Sequence, residues 1–238
     1  MERATNRATD KAGHDPVKLK LDDNADQPGV FAARQLRSRR IRDAFVDAGV
    51  ALLNERSLAH LTVPDLAAHA GCSVGSFYTR FADKAAFFAA LQGAYIAAAD
   101  SEISGRIDQA ALARCSPRAV VEHFVDLMVD LFSGPSRGVL RETLLRIAEP
   151  DNPWEPMREM GRRVRGEMHK SLADRIQGPS KRARQQQISF FFQALVGVLH
   201  NDLINDHHVF STRDETLKPA LVELGTSYLK IRARPRSG

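Results

Sequence analysis

Apolar positions along this chain recur at helical spacing from one end to the other. Ile41, Phe45, Ala48 and Leu52 form one stripe and predict a helix from about Arg37 to Arg56. Thr62 then opens a second helix with a capping-box pattern, Pro64 in its first turn and Asp65 at its third position. Leu66, Ala67 and Ala70 give that helix its apolar face, and Gly71 supplies the left-handed residue that ends it. Ser73 caps a third helix whose inward face is expected to be Val74, Phe77 and Phe81. Asp83 caps a fourth, with Phe87, Phe88, Leu91 and Tyr95 as contacts and a run toward Arg106.

Punctuation divides the remainder. Ser116-Pro117 starts a helix, Gly134-Pro135 stops it, and Pro150 with Pro153 brackets the next break. A long helix is expected from near Trp154 to Gly178-Pro179. The last two helices are expected at about Lys181 to Asn205 and Arg213 to Arg232. In the final one, Leu217, Leu221, Leu224, Tyr228 and Ile231 repeat in a heptad-like seam. No stretch alternates with the period of a strand, so the fold class is all-α. The expected organisation is a mostly disordered arm over 1–35, which lacks helical periodicity, a three-helix helix-turn-helix domain over 36–92, a larger helical domain over 93–233 and a flexible tail over 234–238.

Composition narrows the picture. The 238 residues are 43% hydrophobic, as in an ordinary globular protein, and carry a formal net charge of +5. That charge suits a polyanionic partner without requiring one. Neither a signal peptide nor a membrane-spanning run is legible, so the expected location is cytoplasmic. Two cysteines, Cys72 and Cys115, make neither a disulfide framework nor a zinc site. In the arm, Asp22, Asp23 and Asp26 offset the lysines, which favours a solvated tail over a DNA-reaching extension. The run Arg34, Arg37, Arg39, Arg40 and Arg42 leads into the first helix, where Arg40 suits a phosphate contact.

Between Phe77 and its neighbours, the third helix carries only small or polar residues: Gly75, Ser76, Tyr78, Thr79 and Arg80. Such a helix can approach another surface closely, and the DNA major groove admits one. The ordered set Thr62, Leu66-Ala67, Ala70-Gly71, Ser73-Val74-Gly75, Phe77-Tyr78, Phe81 and Lys84 resembles the TetR family of bacterial helix-turn-helix transcription regulators, over about residues 37 to 92. Cys72, where the family usually has an aliphatic residue, and the long segment before Arg37 depart from its pattern. The resemblance implies that Gly75, Ser76 and Tyr78 face DNA, with the Tyr78 hydroxyl on a phosphate. Arg80 is placed for a phosphate too, though it equally suits a solvated helix end. Thr62 and Lys84 stand at helix N-termini, which favour an anion, and Ser73 belongs to the same DNA-facing set.

The resemblance also implies a homodimer on a palindromic operator, built from the last two helices. Phe192, Leu195, Leu199, Leu217, Leu221, Leu224 and Tyr228 are the expected interface. The penultimate helix supports this by carrying more apolar positions, Phe190, Phe191, Val196 and Val198, than one face needs. A small apolar or aromatic ligand is implied among the helices between Ser116 and Leu203. Candidate lining residues are Phe124, Met128, Phe132, Trp154, Met157, Met160, Met168 and Phe191, each of which suits ordinary core packing first. His123, His169, His200, His207 and His208 are scattered without metal-ligand spacing, so no metal and no cofactor is expected. The arginines from Arg158 to Arg165 read as a solvated helix face.

These readings lead to a ligand-released repressor. The alternative is a DNA-binding protein of the same fold without a small-molecule ligand, controlled by a protein partner or acting architecturally. An enzyme is not expected, because no phosphate loop, nucleophile elbow or paired-carboxylate motif is present.

Overall fold

The computed structural model describes residue 19 and residues 32–147, 154–205 and 210–231, with the side chains of 32–35 and 154 outside the description. Most of the N-terminal arm, His207, His208 and the 234–238 tail therefore lie outside the described residues.

Ten helices follow one another among the described residues, with no strand: α1 (Ala32–Glu55), α2 (Val63–His69), α3 (Val74–Tyr78), α4 (Lys84–Arg106), α5 (Gln109–Arg114), α6 (Pro117–Ser133), α7 (Arg137–Leu145), α8 (Trp154–Leu172), α9 (Lys181–Ile204) and α10 (Leu217–Tyr228). A short 3-10 turn, Leu58–His60, leads into α2. The helix starts follow local chemistry. Side-chain oxygens of Thr62, Ser73, Asp83, Ser116 and Ser180 each accept a backbone N–H two or three positions into the helix that follows. At Thr62 the box is complete. Its hydroxyl oxygen accepts from the Asp65 amide at 3.2 Å, and the Asp65 carboxylate accepts from the Thr62 amide at 3.1 Å. The Thr62 hydroxyl, its amide and the more distant Arg56 together hold the Asp65 carboxyl below its ordinary pKa. Thr62→Ala is expected to lower the melting temperature by about 2–4 °C, the shift that follows loss of one helix cap. A thermal melt followed by circular dichroism checks it.

Helix ends depart more from the sequence expectations. α1 begins at Ala32, earlier than the apolar stripe indicates, and α10 is shorter at both ends than the span expected from Arg213 to Arg232. α8 stops at Leu172 rather than continuing to Gly178. The reason lies in the next helix, because Arg184 donates to the Ala173 carbonyl and takes over the end of the ladder. Gly178 is needed for that approach, since a Cβ there would stand 2.6 Å from Arg184 Cγ. Arg175, just past α8, donates to the carbonyls of Leu112 and Cys115 and so fixes α5, an element no sequence punctuation marked.

A phenylalanine cluster makes the base of the N-terminal domain. Phe45, Phe77 and Phe87 are fully buried, with ring centroids 5.5 Å apart for Phe45–Phe77 and for Phe77–Phe87, both edge-on. Phe81 closes the group at 5.2 Å from Phe77 and 5.0 Å from Phe87. These contacts bind α1, α3 and α4 into one unit. Two polar joints are among its links to the larger domain, beside the pair of Arg163 on α8 with Asp100 on α4 at 2.6 Å. At one, Asn54 near the end of α1 accepts from the Gly138 amide and donates to the Pro135 carbonyl, each at 2.7 Å, while Arg141 donates to the Leu53 carbonyl at 2.7 Å. At the other, Arg106 at the end of α4 pairs with Asp130 of α6 at 2.9 Å, and Lys218 of α10 meets Asp130 at 2.8 Å.

Candidate nucleic-acid interface

The turn between α2 and α3 is set by Gly71, whose φ of +63° lies in the left-handed region. The Cys72 amide donates to the Ala67 carbonyl at 2.9 Å and the Gly71 amide to Ala68 at 3.2 Å, the paired bonds of a Schellman end. The Cys72 thiol is half-buried and turned onto the Ala70 carbonyl. The chain thus re-enters a helix within three residues, and Ser73 caps it through the Ser76 amide at 3.1 Å.

α3 is five residues long and divides cleanly by face. Phe77 is fully buried and anchors it, with Phe81 just beyond its end. Val74 is a correction to the sequence reading: it is 39% exposed and stands on the outer face with Tyr78, which is 56% exposed. A five-residue helix has one inward position, and Phe77 takes it. Gly75 is open, since a Cβ built there would meet only Ser73 Oγ, at 3.8 Å. The Ser76 hydroxyl lies 2.9 Å from Ser73 Oγ, so the two hydroxyls form one exposed polar unit. Tyr78 stands edge-on to Phe77 at 5.4 Å, which sets the direction of its phenol. Thr62 and Arg40 are exposed.

Two of the expected phosphate contacts are otherwise engaged. Lys84 donates from Nζ to the carbonyls of Leu58 and Leu61, at 2.9 and 3.0 Å, and so staples the 3-10 turn to the start of α4. Arg80 folds back, donating to the Ser76 carbonyl at 2.8 Å and, at 3.4–3.5 Å, to Ser38 of α1. Its guanidinium therefore bridges α3 to α1. Sequence reasoning missed Ser38, because the pair is separated by 42 positions and no local pattern links them.

The interface expected on the last two helices needs a larger correction. Phe192, Leu195, Leu199, Leu217 and Leu221 are all buried in the chain's own core. Leu224 and Tyr228 are exposed, and with them Phe190, Val198 and Ile204. The heptad-like seam therefore splits: Leu217 and Leu221 are buried, Leu224 and Tyr228 face outward, and Ile231 packs partly on the core. Gly225 makes the split possible, since a Cβ there would fall 2.5 Å from the Phe191 ring. On the outside Phe190 and Tyr228 lie with centroids 5.3 Å apart and join the two helices into one apolar strip.

The residues expected to line a pocket are packed instead. Phe124, Met128, Phe132, Met160, Met168 and Phe191 are buried core, where α6, α8 and α9 meet, and Met157 is half-buried. The Trp154 side chain lies outside the described residues. Among the described residues no three His, Cys, Asp or Glu side chains gather to hold a metal ion. Burial, reinforced by Arg106, lowers the pKa of His123, and His169 shares a 3.0 Å hydrogen bond with Ser189. Among the described residues, no helix is long and apolar enough to cross a membrane.

Residues 45–91 match the family model described as bacterial regulatory proteins, tetR family. Among curated proteins none matches the chain. Solved structures similar in fold include a TetR-family transcriptional regulator from Rhodococcus sp., with a TM-score of 0.54 and 14% identity, over 80% of this chain and 97% of that one. One from Mesorhizobium loti MAFF303099 has a TM-score of 0.54 and 17% identity over the same shares. A TetR-family regulator from Vibrio parahaemolyticus has a TM-score of 0.52 and 15% identity, over 79% of this chain and 97% of that one.

Proposed function

We propose that this chain, whose residues 45–91 match the family model of bacterial regulatory proteins, tetR family, and whose all-α fold is similar to solved TetR-family structures, is a TetR-family transcription regulator, a dimeric repressor released from a palindromic operator by a small molecule. The observation that carries the DNA-reading part is the outer face of α3. Gly75 is open, the Ser73–Ser76 hydroxyls are exposed, and Tyr78 projects from a helix held rigidly by Phe77. A backbone without a side chain at Gly75 can approach a base edge, while Tyr78 grips a phosphate.

Tyr78→Phe removes only the hydroxyl. Binding is expected to weaken about tenfold, equally for a matched operator and a scrambled one, because a phosphate contact positions the protein without reading sequence. Fluorescence anisotropy on both duplexes checks this, and a loss confined to the matched operator refutes the assignment.

The exposed strip of Phe190, Val198, Ile204, Leu224 and Tyr228 supports the dimer. A two-fold partner covering it would set two α3 helices against two half-sites. Leu224→Glu places a charge in that strip and is expected to raise the dimer dissociation constant at least about thirtyfold. Sedimentation analysis reads the change, and an unaltered dimer places the interface elsewhere. The buried methionines and phenylalanines of α6, α8 and α9 support an apolar ligand site that opens by repacking, since methionine adapts its shape at little cost. Ligand release then acts through the joints that connect this domain to α1 and α4.

A further inference from the structure

A cavity of about 250 Å³ lies at the joint between α1 and α7, away from the buried methionines. Asn54 of α1 forms one wall. Ser133, Gly138 and three arginines, Arg137, Arg141 and Arg213, form most of the rest, and among the described residues no carboxylate lines it. Three arginines around so small a space are unexpected unless something neutralises them. Their existing partners do so incompletely. Arg137 donates from Nη2 to the Asp202 carbonyl at 3.3 Å and lies 3.6 Å from the Asp202 carboxylate, which is already held by the Thr212 amide and hydroxyl at 3.1 and 2.7 Å. Arg137 Nε is buried without a hydrogen-bond partner. Arg141 uses Nη2 on the carbonyls of Leu53 and Arg56 and lies 3.6 Å from Glu142. Arg213 is exposed at the mouth. A guanidinium has five donors in a planar fork, so several remain for a guest.

We propose that this cavity binds a small oxyanion, a carboxylate or phosphate group on a compact metabolite, and that its occupancy weakens the hold of α7 on α1. Guanidinium forks match both groups in geometry, and α7 adds the positive end of its dipole. The volume of about 250 Å³ suits a compact charged group. The polar lining argues against the apolar guest of the buried core. The consequence for α1 follows from Arg141, which cannot turn its Nη2 donors to an anion while they bond Leu53 and Arg56. Drawing that fork inward releases two carbonyls at the end of the helix whose Phe45 packs on Phe77 of α3. The effect on DNA rests on the DNA-reading function proposed above; binding of the anion does not.

The test uses the full chain, free of DNA, in a buffer without oxyanions and at constant ionic strength. Calorimetric titrations with sodium phosphate and with sodium succinate are compared with sodium chloride. Saturable binding of one phosphate or one succinate per chain is expected, and which of the two binds identifies the phosphoryl or the carboxylate class. Arg213→Gln, at the exposed mouth, should weaken it about tenfold without altering the melting temperature of the anion-free protein. Arg141→Gln removes a contact that α1 itself uses and serves only as a second variant. No saturable binding by either anion, or equal affinity in Arg213→Gln, overturns the site. DNA affinity is then measured with and without the anion that binds. A loss of about fivefold, absent in Arg213→Gln, is expected, and an unchanged affinity overturns the coupling. A protein that binds the anion but no DNA at all leaves the site standing and instead refutes the DNA-reading function.

Discussion

Replacing Gly138 with alanine is expected to lower the melting temperature of the protein by about 6–12 °C, corresponding to about 3 kcal/mol. A Cβ at this position would stand 2.2 Å from the Leu53 carbonyl oxygen, 2.3 Å from its carbon and 2.5 Å from the Asn54 nitrogen. All three are backbone atoms, so no rotamer change relieves the clash. Either α7 or the end of α1 must move, and the Gly138 amide loses its 2.7 Å bond to Asn54 as it does. Because Arg141 and Pro135 bind the same few residues of α1, the whole joint is disturbed. Differential scanning calorimetry measures the effect, and a melt unchanged from that of the unsubstituted chain contradicts the description of this joint. The contact is also a direct path from the larger domain to the helix that supports α3, so the same variant should bind DNA more weakly.

Gly75→Leu is expected to separate folding from function. The position is open in the free protein, where a Cβ would have only Ser73 Oγ near it, at 3.8 Å, and leucine favours a helix more than glycine does. The melting temperature should therefore hold or rise slightly. DNA binding should fall at least about a thousandfold, to the non-specific level, because the added side chain keeps the backbone of α3 away from the base edges. Circular dichroism and a DNA titration on the same preparation read both halves. Strong specific binding by this variant would show that α3 does not enter the groove by this face.

What the sequence made legible was local. Thr62 with Asp65, Ser73, Asp83 and Ser116 each announce a helix start within four residues, and the structure places a cap at every one. Gly71 is equally local, a single left-handed residue between two short helices. What failed involved a choice between faces or a distant partner. Val74 shares an apolar pattern with Phe77 and Phe81, but α3 ends at Tyr78, so Phe81 is buried from beyond the helix while Val74, inside it, is exposed. The seam from Leu217 to Tyr228 reads as one stripe, yet Leu217 and Leu221 are buried while Leu224 and Tyr228 are not. Periodicity identifies an apolar helix without saying which neighbour covers which part of it. Likewise, the intramolecular partners of Lys84 and Arg80, the Leu58 and Leu61 carbonyls and Ser38, are not legible in sequence because they stand 23 to 42 positions away. The end of α8 was invisible for the same reason, being set by Arg184 of the following helix.

The central claim is that two copies of α3 read a two-fold DNA sequence. Selection of the purified protein on a randomised duplex library at near-physiological salt, followed by sequencing of what it retains, tests this most directly. An enriched palindrome whose half-sites lie one helical turn apart is the predicted result. Retention without any shared sequence, or no retention, would contradict it.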